Sequence, residues 1–287
     1  MNTVSRQLFL DNVKDHTVSH TFFQLQYDAE LDMLHTYPQP AETDLGKYYE
    51  SDDYISHTDS KRTLFEKAYH LVKKRALIQK VSLLEAHQPN QGKLLDLGCG
   101  TGDFLQIANQ RGWETTGVEP NEKAKQIAAS KGASFLSATS EAADQSFDAI
   151  TLWHVLEHLP NLESQIKELH RLLHSKGTLI IAVPNFKSFD AKHYKEFWAA
   201  YDVPRHLWHF SASSIQRLVE REGMEVVSIR PMKFDSFYVS LLSEKYKTGK
   251  MNFIKAFFVG LYSNWQASRN KEYSSLIYVI KNKQKHV

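Results

Sequence analysis

Three glycines at alternate positions, Gly98, Gly100 and Gly102, close the short apolar run Leu94-Leu95-Asp96-Leu97 and lead into a helix-forming stretch that begins at Asp103. Glycine at every second place lets the backbone fold back sharply and leaves no Cβ between the turn and anything bound against it. A strand delivering the chain into such a turn, with a helix behind it, is the opening of a parallel βαβ unit. The turn therefore calls for alternating strands and helices, and the following residues supply them. Strands are predicted at 93–97, 114–119, 134–136, 147–153 and 178–183, separated by helices at about 103–110, 121–130 and 162–173. A further helix at 213–222 feeds a strand at about 224–230. After an insertion at about 232–272, with an apolar helix at 253–268, the last strand falls at 275–280. Such alternation implies a mostly parallel sheet covered on both faces, a doubly wound, Rossmann-like α/β fold. Ligands of these sheets bind outside the carboxyl ends of the strands, so the glycine turn marks where to look for chemistry.

The chain of 287 residues is long enough for a full core, and 42% hydrophobic with 24% charged residues describes a globular protein rather than a disordered one. A net charge of +2 argues against a dedicated nucleic-acid binder. The single cysteine, Cys99, leaves no internal disulfide and no cysteine-cluster zinc site, which suits a reducing cytoplasm. Residues 1–16 lack the apolar core of a signal peptide, and the most apolar run, 253–262, is too short to span a bilayer and carries Lys255. The chain is expected to be cytoplasmic, without stable membrane insertion. Its charge is uneven, however. Residues 1–60 hold eleven Asp/Glu against three Lys/Arg, and residues 243–287 hold two against nine. Two solvated surfaces of opposite sign that face each other are the simpler reading. A basic face for an anionic substrate or a membrane headgroup is the sharper one.

Residues 1–90 are expected to form a helical or irregular extension, ending in a lid helix at 61–86, in front of a core at 91–287. Tyr48, Tyr49, Tyr54 and His57 fall in this extension. They either anchor it to the core or bring a tyrosine, Tyr54 for choice, to the acceptor.

Two details narrow what the glycine turn binds. Asp103 stands where the dinucleotide fingerprint needs its third glycine, and a carboxylate there would repel a pyrophosphate. S-adenosylmethionine has no phosphate and carries two positive centres, so acidic neighbours suit it. Glu119 ends the second strand, where a carboxylate accepts hydrogen bonds from both hydroxyls of a ribose. The strings LDLGCGTG, VEP, FDAITLWHVLEH and LLHSKGTLIIAVPN, in that order over about residues 92–186, resemble the motifs of class I S-adenosylmethionine-dependent methyltransferases. The resemblance implies a seven-stranded sheet with its last strand antiparallel. It also implies that Asp96, Gly98, Cys99, Gly100 and Gly102 surround the methionine moiety, with Glu119 on the ribose and Ala138 near the adenine. Trp153 and His154 would lie under the sulfonium. The family often has an acidic residue in the adenine stretch, and residues 136–139 have none.

Methyl transfer needs a positioned nucleophile and a base for its proton. The NPPY-type motif of adenine and glutamine methyltransferases is missing, which argues against those substrates and leaves other nitrogen acceptors open. Oxygen or carbon of a small molecule is the expected acceptor. His154-Val155-Leu156-Glu157-His158 also spells the HxxEH string of inverted zinc proteases, but it follows a strand instead of lying in a long helix. In the ubiquinone-pathway O-methyltransferases that this stretch resembles, acidic and histidine groups here have been linked to a divalent ion. His154 replaces the first acidic group, so no metal is expected. The second cluster, Tyr201-Asp202-Val203-Pro204-Arg205-His206-Leu207-Trp208-His209-Phe210, resembles a loop of sugar C-methyltransferases whose histidine matches His206. His206 is thus the first candidate base and His154 the second. Tyr201, Arg205 and His209 are candidates for the acceptor, with Arg205 either recognising an anionic group or tying the loop to the N-terminal segment. The alternative to an enzyme is a non-catalytic sensor or scaffold that binds the cofactor. The apolar helix at 253–268, with Phe253, Phe257, Phe258, Leu261, Tyr262 and Trp265, is expected to pack on the core rather than to shape a lipid-like pocket.

Overall fold

The structure is a computed structural model and describes residues 6–49 and 64–284, with the side chains of 64–72 left aside. Its centre is a seven-stranded sheet built from β4 (Lys93–Leu97), β5 (Glu114–Val118), β6 (Ser134–Phe135), β7 (Phe147–Trp153), β8 (Leu173–Pro184), β10 (Met224–Pro231) and β11 (Ser275–Asn282). The order across the sheet is β10-β11-β8-β7-β4-β5-β6, parallel throughout except for β11, which is antiparallel to both neighbours. Strand alternation sends neighbouring side chains to opposite faces, each covered by helices. Leu95, Ile150 and Ile181 join Ile166 and Leu169 of α4 (Leu162–Leu172) and Leu218 of α6 (Ala212–Arg221) on one side. Leu94, Ala149 and Ile180 join Val81 and Leu84 of α1 (Leu64–His87) and Phe104 and Leu105 of α2 (Asp103–Gln110) on the other. Each fully buried Leu or Ile contributes about 1.5–3 kcal/mol, so the two layers hold most of the hydrophobic stabilisation. α3 (Glu122–Ser130), capped by Asn121, connects β5 to β6.

The N-terminal segment is not helical or irregular over residues 7–37. β1 (Gln7–Lys14), β2 (Phe22–Asp28) and β3 (Met33–Tyr37) form an antiparallel meander, which β9 (Trp208–His209) completes as a fourth strand. The alternation that would announce β1 is broken by register shifts between Leu8 and Leu10 and between Leu10 and Val13. Val13, Phe23, Leu25 and Leu34 of this sheet pack on Tyr194, Trp198, Tyr201 and Val203, which follow β8. Beyond Tyr37 a 3-10 turn spans Glu42–Tyr49.

The insertion holds two helices, α7 (Asp235–Thr248) and α8 (Phe253–Asn270), and α8 lies against the short α5 (Phe189–Tyr194) as well as α7. The expectation that the large side chains of α8 pack on the core is corrected. α8 buries its small residues Ala256, Gly260, Ser263 and Ala267, while Phe253, Phe257, Phe258, Leu261, Tyr262 and Trp265 are all exposed. The reason is steric: a Cβ on Gly260 would stand 3.0 Å from the Cα of Phe237, so only a small-residue face lets α8 approach α7 this closely.

Candidate functional site

β4, β5 and β7 all end at one edge of the sheet, and the glycine turn occupies the middle of it. Gly98 has φ 63°, and its N–H donates to the Val118 carbonyl at 2.8 Å; a Cβ there would meet Val155 at 2.5 Å. Gly100 has φ 53° and open space where its Cβ would be, so it is the exposed lip of the turn. Its N–H donates to Glu119 Oε2 at 2.8 Å, and the Asn121 N–H donates to Oε1 at 2.8 Å, which fixes that carboxylate beside the lip. Gly102 begins α2 at φ 75°, packed so closely on Ala128 that a Cβ would lie 2.7 Å from it.

Asp96 is buried beneath the turn and accepts a 2.5 Å hydrogen bond from Thr151 Oγ1. Burial pushes its carboxyl up to about 7 in spite of that bond. Burial likewise pushes the Cys99 thiol up to about 12, so it is inert as a nucleophile. Lys80 Nζ lies 4.2 Å over the Trp153 ring, whose edge meets Phe104. Ala138 is extended, at φ −147°, and just beyond it Glu141 Oε2 accepts from the Ser137 N–H at 3.0 Å. Asp103 turns to Lys131 and Lys73, at 2.5 and 2.7 Å; burial opposes its charge, but these two cations hold it below its ordinary range.

At the end of β7 the chain makes a sharp turn. His154 sits in the left-handed region at φ 58°, and its N–H reaches across to the Ala182 carbonyl at 2.9 Å. Its ring lies between two carboxylates, with Nδ1 3.2 Å from Glu157 Oε1 and Nε2 3.2 Å from Asp235 Oδ2. Against the pull of burial, these partners raise its pKa to about 10. An imidazole held protonated near neutrality cannot take a proton, so the structure gives His154 the character of a cation rather than a base. His158, by contrast, is lowered to about 4 by burial and by His206, and is neutral. Its Nδ1 faces the Arg205 carbonyl at 3.1 Å and the Tyr49 hydroxyl at 2.9 Å.

Residues 201–210 pack on this turn from above. The Leu207 N–H donates to the Glu157 carbonyl at 2.8 Å, and the His206 and His158 rings meet edge to face at 4.5 Å. His206 Nδ1 donates to the Ala200 carbonyl at 2.9 Å, and its Nε2 lies 3.9 Å from Asp202 Oδ2. Glu157, His158 and His206 each bring one atom within 4.8 Å of the others, and Glu157 Oε2 is buried without a hydrogen-bond partner. A carboxylate and two imidazoles at that spacing could hold a divalent ion.

The other members of the loop are turned inward. Arg205 is gripped by both Asp202 oxygens, at 2.5 and 2.9 Å, lies 3.5 Å from Asp15 and donates to the Tyr48 carbonyl at 3.3 Å. Its cation is already matched, so it ties the loop to the N-terminal segment and is not open to an anionic acceptor. The Thr36 hydroxyl donates to the His206 carbonyl at 2.6 Å, so His209 Nε2 must donate to Thr36 at 3.0 Å. Burial, with His206 and His35 nearby, keeps His209 well below its usual range and neutral. Tyr201 is buried between Trp198 and His209. Tyr54 and His57 lie outside the described residues. Sequence reasoning missed Lys80, Asp235 and Glu141. Lys80 had a faint signal, a lysine beside the apolar stripe of α1, and Asp235 had none.

The arrangement of sheet and turn is matched by known proteins. The methyltransferase domain family model matches residues 68–229, more than half of the chain. The chain is 28% identical over 160 residues to the ubiquinone biosynthesis O-methyltransferase of Azoarcus sp. (strain BH72), covering 50% of this chain and 68% of that one. It is 29% identical over 173 residues to the demethylmenaquinone methyltransferase of Thermotoga maritima, covering 50% and 75%. Among solved structures, magnesium protoporphyrin IX methyltransferase from Synechocystis PCC 6803 with bound SAH shares the fold, with a TM-score of 0.56 at 15% identity over 85% of this chain and all of that one. The chain belongs to the methyltransferase domain family, and it is an S-adenosylmethionine-dependent methyltransferase.

Proposed function

We propose that the enzyme transfers the methyl group of S-adenosylmethionine to oxygen or carbon of a small-molecule acceptor, with His206 as the base. The observation that carries this reading is the tautomer of His206. Its Nδ1–H is committed to the Ala200 carbonyl, so in the neutral ring the lone pair falls on Nε2, which lies 3.9 Å from Asp202 Oδ2. Asp96, Gly98, Gly100 and Gly102 would surround the methionine part of the cofactor, Glu119 its ribose and Ala138 its adenine. When bound there, S-adenosylmethionine would supply an activated methyl carbon for the acceptor's oxygen or deprotonated carbon, with the sulfur as leaving group. His206 Nε2 would take the proton that the acceptor gives up. His154, held as a cation by Glu157 and Asp235, would shape the turn instead of moving protons. Both quinone-pathway relatives methylate small molecules by name, which supports the acceptor class.

The test is a calorimetric titration with S-adenosylmethionine, followed by turnover with hydroxylated and carbon-acid acceptors. Gly100→Asp sets a side chain at φ 53° and a carboxylate beside Glu119, and is expected to weaken cofactor binding more than tenfold. His206→Ala is expected to keep the cofactor affinity and lose about 10²-fold or more in turnover. Full turnover in His206→Ala would refute the base. A second reading has its own observation, the unpartnered Glu157 Oε2 beside two imidazoles. A divalent ion held there would lower the pKa of an acceptor hydroxyl. Turnover abolished by EDTA and restored by Mg²⁺ would select that reading, and indifference to both would remove it.

A further inference from the structure

We infer that the exposed face of α8 is a docking surface for a bilayer containing anionic lipid. An ordinary surface helix turns its apolar stripe to the core and its polar face to water. α8 does the reverse. Its inward side is Ala256, Val259, Gly260, Ser263 and Ala267. Its outward side carries the i, i+4 row Phe253, Phe257, Leu261 and Trp265, between 47% and 62% exposed. A second row beside it, Ile254, Phe258 and Tyr262, is between 44% and 74% exposed. The rows form one patch: Phe257 meets Phe258 at 5.7 Å, and Tyr262 meets Trp265 at 5.4 Å. Single exposed apolar residues are normal, but a continuous two-row face marks an interaction site.

The charges around the face say what it meets. Residues 245–271 contain six Lys/Arg and no Asp/Glu. Lys255 is paired with the buried Glu244 at 2.9 Å. The others, Lys245, Lys247, Lys250, Arg269 and Lys271, are exposed and flank the two ends of α8. Arg269 lies 4.0 Å over the Trp265 ring, an aromatic–cation pair of the kind that sits at the headgroup level. A second copy of the same face would bring cation against cation, whereas an anionic membrane neutralises them all. Among the described residues no helix is long and apolar enough to cross a membrane, so α8 would lie in the interface plane, its apolar rows among the outer acyl carbons.

The test uses the full chain in a flotation assay with extruded vesicles of phosphatidylcholine alone and of phosphatidylcholine mixed with phosphatidylglycerol. Partitioning is expected only with the mixed vesicles, and is expected to fall as salt is raised. The double variant Ile254→Ser/Phe258→Ser and the double variant Lys247→Glu/Lys250→Glu are each expected to lower it by about tenfold or more. All four positions are exposed, and unchanged melting and cofactor binding would show that the fold is intact. Failure of the protein to float with the mixed vesicles would overturn the inference, as would undiminished flotation of either variant. So would light scattering that finds a dimer broken by Ile254→Ser/Phe258→Ser, which would assign the face to a second copy.

Discussion

Asp96 lies at the end of β4, sealed from water, with the Thr151 hydroxyl as its hydrogen-bond donor. With its pKa pushed up to about 7, the carboxyl is largely neutral at pH 6 and largely ionised at pH 8. A cofactor with an ammonium and a sulfonium binds the ionised form better, so binding should release a proton. The affinity for S-adenosylmethionine is expected to rise as pH goes from 5 to 7, by up to about tenfold per unit, and to level off above 7. Asp96→Asn should be weaker and flat across that range; a wild-type profile equally flat would sink the idea. His154 acts on stability in the opposite direction from a depressed carboxylate. Its folded pKa of about 10 lies above the ordinary 6.5, so its contribution is complete below pH 6.5 and disappears as pH rises through 10. His154 is 33% exposed, so on the order of 1 kcal/mol is a fair size for that loss after solvent screening. Urea unfolding between pH 7 and 10 is expected to show the decline in wild type and a shallower one in His154→Asn. The identities of these residues were legible in the motifs, but their protonation states were not. Asp235, which helps to hold the His154 proton, lies 81 residues further along in an insertion with no periodic signal for α7.

At the scale of elements, sequence and structure agree where one principle dominates. β4, β7 and residues 178–183 of β8 are continuous apolar runs buried on both faces, and such runs bounded by turn residues mark strands. β5, Glu114-Thr115-Thr116-Gly117-Val118, is legible only from its place between the helices at 103–110 and 121–130. The elements that were missed depend on distant partners. β9 is only two residues long, and Trp208 and His209 are a strand because β3 supplies their hydrogen bonds. Nothing local to residues 208–209 could announce that. The helix after it, α6, was read as starting at residue 213, but its cap is Ser211. The Ser211 side chain accepts from the Ser214 N–H at 3.1 Å while the Ser214 hydroxyl accepts from the Ser211 N–H at 2.8 Å, a reciprocal cap. Ser211 Oγ also donates to the Asp32 carbonyl at 2.7 Å, so one hydroxyl both starts α6 and pins the loop before β3. Ser211→Ala is expected to cost about 1–2 kcal/mol in urea unfolding, the upper part of the range for lost caps. A change of a few tenths would show that neither role matters.

Across the whole molecule, among the described residues, the ion pairs that N-terminal acids make beyond their own segment run to the middle of the chain. Asp15 meets Arg205, Asp32 meets Lys187, and Glu30 meets Arg221, so these three acids are matched by cations of residues 187–221. The cations of residues 245–271 are left to face outward around α8, apart from Lys255. These N-terminal contacts also tie the four-stranded sheet to the loop that carries His206, the base proposed above. Asp15 is fully buried, accepts from the Thr17, Val18 and Ser19 N–H groups, and reaches Arg205, which in turn borders His206. Burial works against its charge, yet those bonds and Arg205 keep its carboxyl far below the ordinary range. Asp15→Asn removes one of the two carboxylates facing a buried guanidinium and leaves Asp202 in place, at a cost of about 1–3 kcal/mol. The loop carrying His206 should loosen, while the glycine turn, on the far side of β7 from it, should not. Acceptor kcat/KM is therefore expected to fall about tenfold with the Kd for S-adenosylmethionine unchanged, since small displacements of a positioned base are costly to catalysis. Equal losses in both would mean that the N-terminal sheet supports the cofactor site as well, and an unchanged kcat/KM would mean that the loop holds His206 without it.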